Sequence, residues 1–159
     1  MIPRIGFGFD VHRLEKGKPF FLGGIKIEHT KGAVGHSDAD VLIHAICDAI
    51  LGAANLGDIG RHFPNTSPEY KNIDSKILLK KVCGLLAKQK FIIGNVDCTV
   101  CLEKPKIVPY IYEMQAALST AMGIELKQIS VKATTSEGLG FVGREEGVAA
   151  YAVAVLFPT

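Results

Sequence analysis

A chain of 159 residues fits one domain, 1–159, and is long enough to bury a core of its own. With 48% hydrophobic and 21% charged residues and a formal net charge of +2, its lysines are scattered, which argues against the clustered basic face of a nucleic-acid binder. The apolar run from Gly147 to Phe157 stops at Pro158, too short to span a bilayer, and four cysteines without a leader give no secreted disulfide framework. The expectation is a protein with no nucleic-acid and no membrane partner. It would be cytoplasmic, or in a plastid-type organelle matrix after loss of a transit peptide.

In chain order, Arg4 to Val11 predicts a strand, and Phe20 to Leu22 with Ile25 to Ile27 predicts a hairpin about Gly23-Gly24. Glu28 to Gly35 reads as loop. The run His36-Ser37-Asp38-Ala39-Asp40-Val41 opens a helix to about Ala54, with Ser37 as N-cap and Asp40 completing a carboxylate variant of the capping box. Asp58 to Asn72 is a loop with Gly60, Pro64 and Pro68. A second helix is capped near Asp74 or Ser75. Val96 to Leu102 is a strand, and Pro105 and Pro109 bracket the start of a third helix ended by Gly123. Ile129 to Thr135 and Val148 to Phe157 are the last strands, separated by the glycine-rich Ser136 to Gly147. The last strand is apolar on both faces, so helices and another subunit should cover it. The fold class is α/β (α+β), a single domain with a mixed sheet and helices packed on it.

Asp10 and His12 alternate onto one face of the first strand, while helical spacing aligns His36, Asp40 and His44. If strand and helix pack, Asp10, His12 and His44 converge as three borderline-to-hard donors with a fourth position open, the pattern of a catalytic zinc site. Asp40 or Asp48, four residues either side of His44, would orient its second ring nitrogen. His36 and Ser37 at a helix start suit a phosphate. Lys132-Ala133-Thr134-Thr135-Ser136-Glu137 ends a strand with hydroxyls and one carboxylate, which suits diphosphate oxygens and magnesium. Cys98 and Cys101 match C-x-x-C but point to opposite faces of a strand, so buried thiols are the better reading. No P-loop lysine and no local signature of a nucleophilic Ser or Cys is present. That fits a substrate that brings its own nucleophile, since a phosphate monoester is largely dianionic at neutral pH.

Taken together, Gly8-Phe9-Asp10-Val11-His12, His36 to Val41, His44, Asp48 to Ala53, Gly57-Asp58-Ile59-Gly60, Phe63-Pro64, Gly94 to Asp97, Pro105-Lys106 and Lys132 to Phe141 resemble the 2-C-methyl-D-erythritol 2,4-cyclodiphosphate synthase family. The resemblance follows the family's order over essentially the whole chain. It implies a homotrimer with active sites between subunits. It further implies one zinc ion on Asp10, His12 and His44, and magnesium or manganese near Glu137, with Thr135 beside it. The implied substrate is 4-diphosphocytidyl-2-C-methyl-D-erythritol 2-phosphate, cyclised with release of CMP. His36 and Ser37 would contact phosphate, and Asp58 and Gly60 the erythritol hydroxyls. Pro105, Lys106, Ile107 and Val108 with Ala133, Thr134 and Thr135 would hold the cytidine, and His62 to Asn72 would be a lid. Phe141 and Arg144, with Glu146, would line an axial cavity for an isoprenoid diphosphate. Gly138 stands where many relatives carry lysine, and Leu102 where a small residue is frequent; both touch nucleotide affinity and neither removes a metal ligand. The competing readings are a zinc phosphohydrolase and a non-catalytic trimer that binds isoprenoid diphosphates.

Overall fold

The computed structural model describes residues 2–159. Strands β1 (Arg4–Lys16), β4 (Lys31–Val34), β5 (Phe91–Cys101), β6 (Ile129–Thr134) and β7 (Gly147–Pro158) form one sheet in the order β4-β1-β7-β5-β6. The β5–β6 pair is parallel and the others antiparallel, so the sheet is mixed and the chain is a single-domain α+β fold. Strands β2 (Phe20–Leu22) and β3 (Ile25–Ile27) make the separate hairpin expected, Leu22 opposite Ile25, with Gly23 at φ 61° and Gly24 at φ 83° in its turn.

Helix α1 (Val41–Ala53) lies against β1 and β7, with α3 (Ser75–Lys88) packed on it and α4 (Ile111–Met122) on α3 and β6. α1 is buried almost all round; only His44, Asp48 and Gly52, four residues apart, escape full burial. The close seat of α1 comes from β1. A Cβ at Gly6 would lie 1.9 Å from the Ala49 carbonyl oxygen, and one at Gly8 1.9 Å from that of Ala45. Buried Ala150, Ala152 and Ala154 keep β7 equally low beneath the helix.

Several expected boundaries move. β1 runs on to Lys16 because Arg13 to Lys16 pairs with β4, a strand inside the segment read as loop. β5 begins at Phe91, a short helix α2 (Ile59–His62) interrupts the loop after α1, and another, α5 (Gly140–Gly143), lies in the glycine-rich stretch. Helix α1 starts at Val41 and not at Ser37, because Ala39 has φ 58°, outside helical geometry. Its cap is therefore Asp40, whose carboxylate accepts from Ile43 N (3.0 Å), Gly23 N (2.9 Å) and Gly24 N (2.7 Å) and so ties the hairpin turn to the helix. Burial first, then neighbouring Asp38, raises the Asp40 carboxyl against those three donors. The sheet face away from the helices keeps Ile5, Phe7, Phe9, Val11, Tyr151 and Val153 exposed.

Gly8→Ala should cost roughly 3 kcal/mol or more, because only backbone can move to make room. Gly84→Ala, on an exposed face of α3 with nothing within 4 Å of the added carbon, should gain up to about 1 kcal/mol. Urea unfolding checks both; equal stability of the two variants would refute the close-approach account.

Candidate metal centre

Asp10 and His12 lie on the face of β1 that α1 covers, and α1 brings His44 over them. Asp10 Oδ2 is 2.9 Å from His12 Nε2 and 3.0 Å from His44 Nδ1, and the two ring nitrogens are 3.1 Å apart. Among the described residues this is the one cluster of three His, Cys, Asp or Glu side chains whose ligand atoms lie within 4.8 Å of one another. In the neutral ring, His12 Nδ1–H donates to the Val34 carbonyl at 2.9 Å, which leaves Nε2 as the bare nitrogen turned to the cluster. Gly35 lies close against that ring, where a Cβ would sit 2.9 Å from Cε1. Donors on a tetrahedral zinc with bonds near 2.0 Å stand roughly 3.3 Å apart, so this donor set fits such an ion.

The orienting partners of His44 are not the expected ones. Asp40 is occupied by the helix cap and the hairpin, and Asp48 accepts from Ile59 N at 2.7 Å, which seats α2. His44 Nε2 instead meets Ser37 Oγ and Ser75 Oγ, each at 3.1 Å. Ser75 is fully buried at the first residue of α3 and hydrogen-bonds Asp38. Sequence reasoning passed over it because a serine after Asp74 reads as one more capping candidate. His36 lies before α1, not on it, and its Nε2 donates to Ser67 O at 2.8 Å.

A pocket of about 480 Å³ opens beside the cluster, lined among others by His12, His44, His36, Ser37, Gly60 and Phe63. Asp58 caps α2 through Arg61 N at 3.0 Å and lies next to this pocket in sequence. The other expected site residues are elsewhere. Thr134 pairs with Cys101, Cys101 with Ala149, and Ala149 with Val11, which puts the end of β6 three strands, about 14 Å, from β1. Thr135 and Glu137 follow that end, where Glu103 Oε1 accepts from Ser136 N (3.0 Å) and Gly138 N (3.3 Å) and shapes the turn that holds Glu137 at φ 56°. Glu103 is a second residue that no motif marked. Leu102 N donates to Thr134 O at 3.0 Å, so the segment leading to Pro105, Lys106, Ile107 and Val108 adjoins Ala133 and Thr134. Phe141 lines a different hollow, about 440 Å³, together with Arg13, Lys31 and Glu146, while Arg144 pairs with Glu146 at 2.7 Å outside it. All four cysteines are free thiols, and burial pushes Cys83 up to about 11 and Cys98 up to about 12, away from thiolate chemistry.

Burial raises Asp10, but hydrogen bonds and charge from His12 and His44 outweigh it and hold the carboxyl down at about 2. Burial lowers His12, while Asp10 and the Val34 carbonyl together raise it above its usual 6.5. The Asp10 contribution to stability is thus present above its ordinary pKa of 3.8 and lost as pH falls toward 2. The His12 contribution is complete below pH 6.5 and lost as pH rises through its raised value. A cation at the cluster must displace the His12 proton. Zinc added to chelator-treated protein should therefore raise the Tm little at about pH 6 and progressively more at higher pH. Calorimetric scans across this range check it, and a zinc effect independent of pH would contradict the assigned ligands.

Residues 3–157 match the YgbB family. Over 153 residues the chain is 62% identical to the 2-C-methyl-D-erythritol 2,4-cyclodiphosphate synthase of Cytophaga hutchinsonii and 58% identical to that of Bacteroides thetaiotaomicron, covering 96% of this chain and 96% of each relative. Its fold superposes on the bifunctional IspDF from Campylobacter jejuni with a TM-score of 0.96 at 40% identity, covering 99% of this chain but only 43% of that longer one. A CDP complex of IspF from Plasmodium falciparum gives 0.87 at 36% identity, over 99% of this chain and 97% of the other. The match begins ahead of β1 and ends within the last residues of β7, so that β1, α1 and all three clustered donors fall inside it. The chain belongs to the YgbB family.

Proposed function

We propose that the chain, acting over 1–159 as one cyclodiphosphate synthase domain, converts 4-diphosphocytidyl-2-C-methyl-D-erythritol 2-phosphate to 2-C-methyl-D-erythritol 2,4-cyclodiphosphate and CMP. The observation that carries this reading is the convergence of Asp10, His12 and His44 beside a pocket of about 480 Å³, in a chain 58–62% identical to enzymes of that name. In this reaction an oxygen of the substrate's 2-phosphate bonds to the β-phosphorus while the bond from that phosphorus to the CMP oxygen breaks. The attacking dianion needs no protein base.

Asp10, His12 and His44 would hold zinc, and Glu137 magnesium or manganese; these ions supply Lewis-acid polarisation and neutralise charge on the diphosphate. The chain's own groups bind and orient. Ser37 Oγ accepts from Ala39 N at 3.2 Å and lines the pocket with His36, so its proton can turn to a phosphate oxygen there. Asp58 and Gly60 take the erythritol hydroxyls. Pro105 to Val108, with Ala133, Thr134 and Thr135, form the cytidine pocket, and Thr135 steadies the diphosphate beside Glu137. The His62 to Asn72 segment, held by His36 O accepting from Asn72 N at 2.8 Å, closes over the pocket and excludes water. Bending the substrate so that its two ends meet contributes on the order of 7–11 kcal/mol for well-oriented partners.

The separation of about 14 Å, three strand spacings, between β1 and the end of β6 supports a site completed by a neighbouring copy, in a homotrimer. So does the exposed apolar face, with Phe7 64% and Phe9 46% exposed and the Phe9 ring tilted against Tyr151 at 5.1 Å between centroids. The same assembly would set the Phe141 hollows, lined also by Arg13 and Lys31, around a shared axis, where Phe141 and Arg144 would hold an isoprenoid diphosphate. The bacterial relatives support a cytoplasmic location.

Incubation with the cytidine substrate, followed by phosphorus NMR, should show CMP release that chelator abolishes and no oxygen taken up from labelled water; uptake of that label would establish hydrolysis instead. His44→Ala should lose at least about 1,000-fold in turnover while its circular dichroism is unchanged. Phe7→Glu should give a monomer by light scattering that still binds zinc but does not turn over. A substituted chain of unchanged size would refute assembly through this face.

A further inference from the structure

His44 can offer Nδ1 to a cation only if its ring proton sits on Nε2. Beyond Nε2 stand Ser37 Oγ and Ser75 Oγ, each at 3.1 Å, while Nδ1 faces Asp10 Oδ2 at 3.0 Å and His12 Nε2 at 3.1 Å. The Ser75 hydroxyl has one proton to give, and it goes to Asp38 Oδ1. That carboxylate also accepts from Asp40 N at 3.2 Å through the same oxygen and from Ser75 N at 3.0 Å through Oδ2, and donates nothing. Ser75 Oγ therefore has only lone pairs left for His44 Nε2, 3.1 Å away. Ser37 Oγ, which can turn its proton to Ser75 Oγ at 3.5 Å, offers Nε2 a second lone pair; a proton on Nδ1 would gain Asp10 Oδ2 but leave bare Nε2 against both serine oxygens. The hydroxyl is not needed to cap α3, because Asp74 does so through Lys76 N at 2.8 Å.

We propose that Asp38 and Ser75 are positioning residues, a polar relay that holds His44 in its Nε2–H tautomer and so presents Nδ1 to the cation shared with Asp10 and His12. This rests on the metal reading of the cluster given under the proposed function. The relay also joins three elements to one ligand. Asp38 N donates to Ile73 O at 3.0 Å, so the turn ahead of α1, the N-terminus of α3 and His44 are locked together. Neither residue is itself within the donor cluster.

The test uses the full-length protein labelled with nitrogen-15 in histidine, together with Ser75→Ala. In chelator-treated parent protein, the neutral His44 ring should show the Nε2–H pattern. In Ser75→Ala the two tautomers should mix and the zinc Kd, read by competition with a chromogenic chelator, should weaken roughly 10–100-fold with circular dichroism unchanged. A parent His44 protonated on Nδ1, or a Ser75→Ala chain with the parent's tautomer and the parent's zinc affinity, overturns the proposal. Where the alanine chain does not fold, the parent spectrum alone decides. A parent that shows the Nε2–H form yet binds no zinc would refute the metal reading and leave the relay standing.

Discussion

The closeness of α1 to β1 governs the rest of this molecule. Two glycines on one face of a strand let a helix backbone settle where any side chain would collide with the Ala45 and Ala49 carbonyls. Two residues further along the same face the side chains return, as Asp10 and His12, and the same helix presents His44 one residue before Ala45. The metal centre is therefore built at the end of the tightest contact in the core. Its geometry is fixed by packing between rigid elements and not by loops.

Around the donors, almost every polar group has a second task. Val34 O fixes one nitrogen of His12, Ser75 and Asp38 face the far nitrogen of His44, and Asp40 links the β2–β3 turn to the first turn of α1. Such groups are costly to bury alone, since each lost partner leaves a desolvated dipole or charge. In this chain each is satisfied by backbone or by a neighbour in the same network. That is how a site containing three carboxylates and two imidazoles within two short segments remains compatible with a closed core.

The two faces of the sheet have opposite roles. One is sealed by α1, α3 and α4, while the other presents the aromatic and aliphatic row of β1 and β7 to its surroundings. The residues proposed to hold nucleotide and magnesium stand three strands from the donors. Under the proposed function, an apolar face and a divided site have one physical answer, association, which would bury the first and complete the second.

The sequence by itself determined what alternation and helical period can carry: the mixed α+β class, the Gly23-Gly24 hairpin, the end of α4 at Gly123, and the shared face of Asp10 and His12. Asp10 with His12, and His44 on its helix, were legible because residue type and period encode each locally; that the two segments meet was conditional on their packing. Other features were not local. The start of α1 at Val41 follows from Ala39 in a left-handed conformation and from Asp40 recruited by a distant turn. Strand β4 forms only because the far end of β1 offers it a partner. Ser75, Asp38 and Glu103 gained their roles only through tertiary structure, because a hydrogen bond across 37 or 33 residues leaves no period in the chain. Period records what each segment must bury; only the packed fold decides which polar groups meet once it is buried.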